Sequence, residues 1–526
     1  MEGNDAVVSC NLRIWIPMAS TKRFAFNVMM NWIAMAVGMV VPFFLAPFVI
    51  RHLGTTAYGI WILAVSTVSY LNLLDLGLRS AVIRFVSKAQ AQNNLDEARN
   101  VVSATLWIRS LLAAGVAVLS IALAFAFPHF FKVPPDLQRA AQITVLLCAL
   151  GVAVTLVSGV FGAVLAAIHR FDLLSTVTMM QTLARAAGVV LILRSGRGLV
   201  ALAYWELTVV TLAGLITVGI ALKLFPACRV RVAKPKIETV KMIWAYSFIT
   251  FIWIIAVQII INTDNLVVGA FLSVGLVAFY SIGGSLTSYS GQVVSAVSTT
   301  FTPMASNLEA SGKTEELRKL LIRGTQATLA LALPISLTLI FRGKTFIGLW
   351  MGPQFSEVSG NVLQILMIAQ YFSVATSTCG AVMMAIGKHK PAAKWAVIEA
   401  AINLGLSLIL VKTVGIYGVA WGTSISNALV CTLFWPKYVS KILNVPVRTF
   451  LWEGWAKITL CSIPFAIVCV LADRYWHPHS LVVFFSQVLA TLPVYAAFVL
   501  IIFRAEVTTV FRMWQESRRM TAQATS

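Results

Sequence analysis

The sequence predicts an all-α polytopic membrane protein. It has about fourteen transmembrane helices, arranged as two six-helix lobes related by a parallel repeat, with two further helices at the C-terminal end. Three observations carry this reading. The chain of 526 residues is 59% hydrophobic and only 11% charged, with a mean hydropathy of +0.86, whereas soluble domains use about 25% charged residues. Apolar runs of about 20 residues recur from end to end, each long enough to cross a bilayer as a helix. Span two and its cytoplasmic loop also align with span eight and its loop.

The spans fall near 24–50, 57–78, 101–127, 141–168, 173–193, 199–222, 241–262, 276–302, 320–341, 360–386, 391–411, 415–435, 451–472 and 480–503. They break at turn and charge signals such as His52-Leu53-Gly54, Val133-Pro134-Pro135 and the run Arg194–Gly198. The polar run Asn262-Thr263-Asp264-Asn265 reads as the outer end of span seven, with Asp264 as a cap. Residues 1–23 form a cytoplasmic N-terminal segment without the pattern of a removable signal peptide. An N-lobe follows at 24–222, a basic cytoplasmic linker at 223–240 and a C-lobe at 241–435. Spans thirteen and fourteen occupy 451–503, and a cytoplasmic tail takes 504–526.

The net charge of +21 is read as cytoplasmic loops rich in Lys and Arg rather than as a nucleic-acid surface. The N-terminus, the even-numbered connections and the tail hold the larger share of these residues. The connection after span six is the clearest case, with Lys223, Arg229, Arg231, Lys234 and Lys236. Both termini are therefore placed in the cytoplasm. The seven cysteines lack CxxC spacing and read as packing residues, not as a disulfide framework or metal site.

An ungapped shift of 219 residues superposes Ser66 on Ser285, Ser69 on Ser288 and Tyr70 on Tyr289. The match continues through Ser87 and Ser306, Ala91 and Ala310, Glu97 and Glu316, and Arg99 and Arg318. Apolar helices resemble one another by chance, but identity in the same register through a polar loop indicates duplication. Six spans separate the copies, so orientation is preserved. This is the parallel repeat of transporters in which two bundles rock about a central site.

The stretch LGTTAYGIWILAVSTVSYLNLLDLGLRSAVIRFVSKA at 53–89 resembles the second-helix signature of Wzx-type oligosaccharide flippases. IGLWMGPQF at 347–355 is similar to the end of their ninth helix. IGKHKPAAKWAVIEAAINLGLSLILVKTVGIYGVAWGTSISN at 386–427 resembles their eleventh and twelfth helices. These flippases belong to the multidrug/oligosaccharidyl-lipid/polysaccharide exporter superfamily. The resemblance implies translocation of undecaprenyl-diphosphate-linked sugar repeat units from the cytoplasmic to the periplasmic face. It implies a polyprenyl-diphosphate-linked glycan, membrane lipids and a polysaccharide polymerase machinery as partners, with no nucleic acid. It implies no cofactor and leaves H+ or Na+ as the coupling ion.

Candidate functional residues are the ionisable and amide groups inside spans, since each charge at mid-span costs about 2.5–3.5 kcal/mol on insertion scales. Arg185, in span five, suits diphosphate capture, because a planar guanidinium binds two oxygens. The rival reading is an ion pair with Glu206 of the next span. Arg109, in span three, lies within reach of the cytoplasmic headgroups. Asn27 and Asn31, four apart in span one beside Pro42 and Pro47, suit a kinked helix lining a cavity. Asp75 and Arg79, at the cytoplasmic end of span two, are spaced to pair on one helix face and to gate, with Arg84 snorkelling beside them. Glu399 and Asn403 share a face of span eleven and suit ion coupling. Lys457 reads as a snorkelling cation.

A drug or cation exporter of the same fold is the alternative. It is disfavoured by the absence of an acid from span one. A membrane glycosyltransferase, ligase or polymerase is less favoured still, because the outer connections, under about 20 residues, are too short to hold independent structure.

Overall fold

The structure is a computed structural model that describes residues 21–228, 237–388 and 390–502. Every regular element among the described residues is helical. In chain order these are α1 (Thr21–Ser69), α2 (Leu78–Ala91), α3 (Leu95–Phe130), α4 (Gln138–Ala167), α5 (Phe171–Arg194) and α6 (Leu199–Leu224). Next come α7 (Ile237–Phe271), α8 (Val274–Ser298), α9 (Phe301–Ala310), α10 (Thr314–Trp350), α11 (Pro353–Ala385) and α12 (Lys390–Val414). The chain then runs through α13 (Ile416–Leu433), α14 (Trp435–Leu443), α15 (Val447–Thr449), α16 (Lys457–Cys461), α17 (Ile463–Tyr475) and α18 (Leu481–Ile502).

Twelve helical segments among the described residues are long and apolar enough to cross a membrane. The first, Phe26–Ala91, contains spans one and two, because α1 leaves helical geometry at Gly54 (φ 78°, ψ 166°). Only glycine adopts this conformation without strain. The helix α8 is absent from the twelve; it occupies the place of span eight but is too rich in Ser and Gly to qualify by hydropathy. Dividing the first segment at Gly54 gives thirteen such segments among the described residues, close to the fourteen spans expected, with α8 in the place of span eight.

The junction between spans seven and eight differs from the sequence reading. Asn262–Asn265 does not end the helix; α7 continues to Phe271. The side chains of Thr263, Asp264 and Asn265 bond to neighbouring helices, so the helix persists where isolated propensity favours a turn.

By contacts the chain divides into two compact units. The first comprises the described parts of Met1–Phe48, Leu74–Leu123 and Leu146–Phe248. The second takes Val49–Leu73, Ala124–Val145 and the described chain from Ile249. In the first unit, Val82, Val86, Val102, Val160, Val164 and Ala221 bury α2, α3, α4 and α6 against one another. In the second, Leu321, Leu329, Val382, Phe450 and Phe465 bring α10 and α11 together with the helical run 447–475. Burial of such side chains against neighbours, with van der Waals packing replacing lipid contact, stabilises helices in a bilayer. The described cysteines are free, and most are buried in these interfaces.

Candidate functional site

Span two does not continue as one helix. A 3-10 turn over Tyr70–Asp75 leads to Leu76 and Gly77, both at positive φ (51° and 72°), before α2 begins. The break turns Asp75 away from Arg79, which is exposed. The expected pairing of Asp75 with Arg79 is therefore not formed. The partner of Asp75 is Arg109 on α3, whose Nη2 donates to Asp75 Oδ1. The Arg109 Nη1 donates to the carbonyl of Leu156 on α4 at 3.2 Å. With 3% of its surface exposed, Arg109 lies inside the unit rather than reaching the headgroups. Helix-spacing arithmetic missed this because it assumed an unbroken helix. The adjacent Leu76-Gly77 pair was the available signal. Arg84 lies 5.9 Å from the centroid of the Phe85 ring.

Arg185 and Glu206 form a two-pronged pair between α5 and α6, with Nε and Nη2 each 2.6 Å from a carboxylate oxygen. The pair is the rival partner named from sequence, yet 39% of the Arg185 side chain remains accessible. Asn27 fastens the start of α5. Its Nδ2 donates to the His169 carbonyl and its Oδ1 accepts the Asp172 N–H, each at 3.2 Å. Arg170 completes this turn with two 3.0 Å bonds to the Asp172 carboxylate. Asn31 is exposed one turn further along α1.

In the second unit, Asp264 does not cap an outer end. It is 5% exposed within α7. Two hydroxyls, Tyr280 on α8 and Thr423 on α13, each donate to its Oδ2 at 2.6 Å. Asn403 on α12 donates to the Thr423 hydroxyl at 2.8 Å. The Oδ1 of Asp264 and the Oδ1 of Asn403 are buried and have no hydrogen-bond partner among the described residues. The crossing of α12 and α13 is close because a Cβ on Gly422 would run into Ser407 and one on Gly418 into the backbone of Leu410. Glu399, a turn before Asn403, accepts from Asn427 Nδ2 at 2.8 Å. Glu399 and Asn403 are thus on one helix but in separate bonds. Lys457 meets Glu453 at 3.4 Å.

Close to this cluster, the second half of α1 lies along α7. Asn265 donates to the Ser66 hydroxyl at 3.1 Å and Gln258 to the Ser69 hydroxyl at 2.6 Å. The hydroxyls of Tyr70 and Thr263 are 2.5 Å apart. Ser66, Ser69 and Tyr70 were singled out by the repeat, but their partners, 189 to 199 positions away, carried no sequence signal.

The arrangement has two chemical characters. One is an accessible guanidinium held by a carboxylate. The other is a buried carboxylate surrounded by neutral donors, with one oxygen unpaired among the described residues. Both occur in spanning helices, where an ionisable group is functional by default.

The fold is shared with solved transporters. The lipid II flippase MurJ in an inward closed conformation superposes with a TM-score of 0.74 at 17% identity, covering 92% of this chain and all of that one. An inward-facing multidrug resistance MATE transporter superposes at 0.60 with 15% identity, over 82% of this chain and 97% of that one. Among sequences, the uncharacterized membrane protein EpsK of Bacillus subtilis is 26% identical over 450 residues, 82% of this chain and 85% of that protein. A Shigella flexneri protein provisionally named an O-antigen transporter is 23% identical over 390 residues, 72% of this chain and 88% of that one. Residues 248–409 match the MatE family. Residues 21–309, more than half of the chain, match the family described as polysaccharide biosynthesis protein, and the chain belongs to that family.

Proposed function

We propose that this protein translocates undecaprenyl-diphosphate-linked oligosaccharide repeat units from the cytoplasmic to the periplasmic face of the bacterial inner membrane. The family and the names of the relatives support carriage of a lipid-linked glycan. The observation that carries the reading is Arg185. A diphosphate crossing a medium of low dielectric needs counter-charge, and Arg185 is a cation on a spanning helix that stays 39% accessible while paired. A diphosphate offers the same two-oxygen geometry as Glu206, so it can share or replace that partner. Arg109, by contrast, is buried and committed to Asp75. The reaction makes and breaks no covalent bond.

Energy enters at Asp264 in this reading. A buried carboxylate ringed by hydroxyls, with one oxygen unpaired among the described residues, is suited to exchange H+ or Na+ as its neighbours shift. Asn403 takes part through Thr423, while Glu399 with Asn427 is a second coupling candidate.

The MatE match and the MATE-like fold favour one other reading, export of a drug or cation. Deleting the gene separates the two. The flippase reading expects lipid-linked repeat units to accumulate on the cytoplasmic face and surface polysaccharide to be lost. Increased drug sensitivity with normal polysaccharide would overturn it in favour of the exporter.

A further inference from the structure

The helix α8 occupies the place of span eight without the hydropathy of the other spans, and it presents a different surface. Every exposed residue between Val274 and Ser298 is polar: Ser288, Gln292 and Ser295. Thr299, at the C-cap, continues the series. Spaced by four, three and four positions, these side chains fall within an arc of about 60° and extend about 16 Å along the helix. No large hydrophobic residue of α8 is exposed. The contrast with α3 is direct. At the same heptad spacing its exposed positions are Leu111, Val118 and Phe125, the face expected against lipid.

A second helix adds to this surface. Gln370 of α11 lies against Gly291, where a Cβ would stand 3.1 Å from the Gln370 Nε2. Its side chain has no hydrogen-bond partner among the described residues, and the same holds for Ser288, Gln292 and Ser295. Beside Ser288, a Cβ on Gly284 would meet nothing within 4 Å, so the face is open as well as polar.

Unpartnered amides and hydroxyls on a spanning helix do not face acyl chains, since each unsatisfied group costs free energy there. They face water or a polar ligand. The repeat shows that the ladder is not inherited from the fold. In the first copy the positions equivalent to Gln292 and Ser295 are Leu73 and Leu76, and the Ser69 equivalent of Ser288 is bonded to Gln258.

We propose that Ser288, Gln292, Ser295 and Gln370 form a carbohydrate-binding face that reads the sugar portion of the lipid-linked substrate; this rests on the translocase reading above. Each group both donates and accepts, as sugar hydroxyls do, and none is charged. The face therefore suits a glycan and offers no charge to a diphosphate. Sugar and diphosphate recognition are thereby separable in this chain.

The test is binding by the purified full-length protein in nanodiscs, with undecaprenyl diphosphate as one probe and the same lipid bearing one N-acetylhexosamine as the other. The wild type is expected to prefer the glycosylated probe. Combining Ser288→Ala, Gln292→Leu and Ser295→Ala should weaken that probe by about fivefold for each hydrogen bond lost and leave the bare diphosphate unchanged. Gly284→Leu serves as a second variant, because an added Cβ there meets nothing within 4 Å; it should exclude the sugar in the same way. An unchanged preference in the triple variant, or in Gly284→Leu if the triple variant does not fold, overturns the proposal and leaves the translocase reading standing. If the wild type binds neither lipid, the translocase reading fails and this proposal with it.

Discussion

Asp75 and Arg109, 34 positions apart, close an ion pair across the break that ends span two. The pair joins the segment before α2 to α3 inside one unit, and Arg109 also holds the Leu156 carbonyl of α4. Removing one partner leaves a charge buried without compensation, at a cost of about 3–5 kcal/mol. Asp75→Ala is therefore expected to lower the melting temperature and the folded yield in detergent, as is Arg109→Ala. Asp75→Asn combined with Arg109→Gln should recover most of the loss. Arg79→Ala should change stability by no more than about 0.5 kcal/mol. Thermal unfolding of the four variants decides it, and a large loss on Arg79→Ala would contradict the geometry.

The Asp264 cluster makes a prediction about driving force. Asp264→Asn keeps the volume and the bonds from Tyr280 and Thr423 but cannot carry a charge. Export that depends on an imposed H+ or Na+ gradient should lose that dependence, while the folded yield stays near wild type. Thr423→Val should weaken the dependence, since it removes one donor to Asp264 and the acceptor for Asn403. Unaltered gradient dependence in Asp264→Asn would remove this residue from coupling.

Close packing of α12 on α13 is a steric prediction. At Gly418 an added methyl would meet the backbone of Leu410, which has no flexible end to yield. Gly418→Ala should destabilise by about 1–3 kcal/mol, the usual cost of overpacking. Gly405→Ala, where a Cβ meets nothing within 4 Å, is the control and should be neutral or slightly stabilising. Melting temperatures of the two variants check this.

Topology is tested by reporter fusions. One placed after Arg504 should read cytoplasmic and one near Gln354 external. Reversal of both would contradict the placement of the basic connections inside.

The spans were legible because twenty apolar residues leave the chain few alternatives in a bilayer. The Arg185–Glu206 pair was legible because both residues sit in adjacent spans of a hairpin. The Asp75–Arg109 pair was not, since a helix break redirects side chains that periodicity places together. The polar run at Asn262–Asn265 looked like a helix end because its partners, Ser66, Tyr70, Tyr280 and Thr423, come from distant parts of the chain. The stripe on α8 was present in the spacing of Ser288, Gln292 and Ser295, but only exposure distinguishes an open polar face from a buried one.

The most direct measurement of the central claim is transfer of a labelled undecaprenyl-diphosphate-linked sugar between leaflets of proteoliposomes containing Arg185 and Glu206 variants. Arg185→Ala should abolish most transfer, and Arg185→Lys, which keeps the charge but loses the planar fork, should reduce it in part. The combination of Arg185→Ala with Glu206→Ala removes both members of the pair and leaves no lone buried charge. If Arg185 holds the diphosphate, this double variant remains defective at normal folded yield. Transfer restored to near wild type in the double variant would show that Arg185 only neutralises Glu206, and would contradict the account.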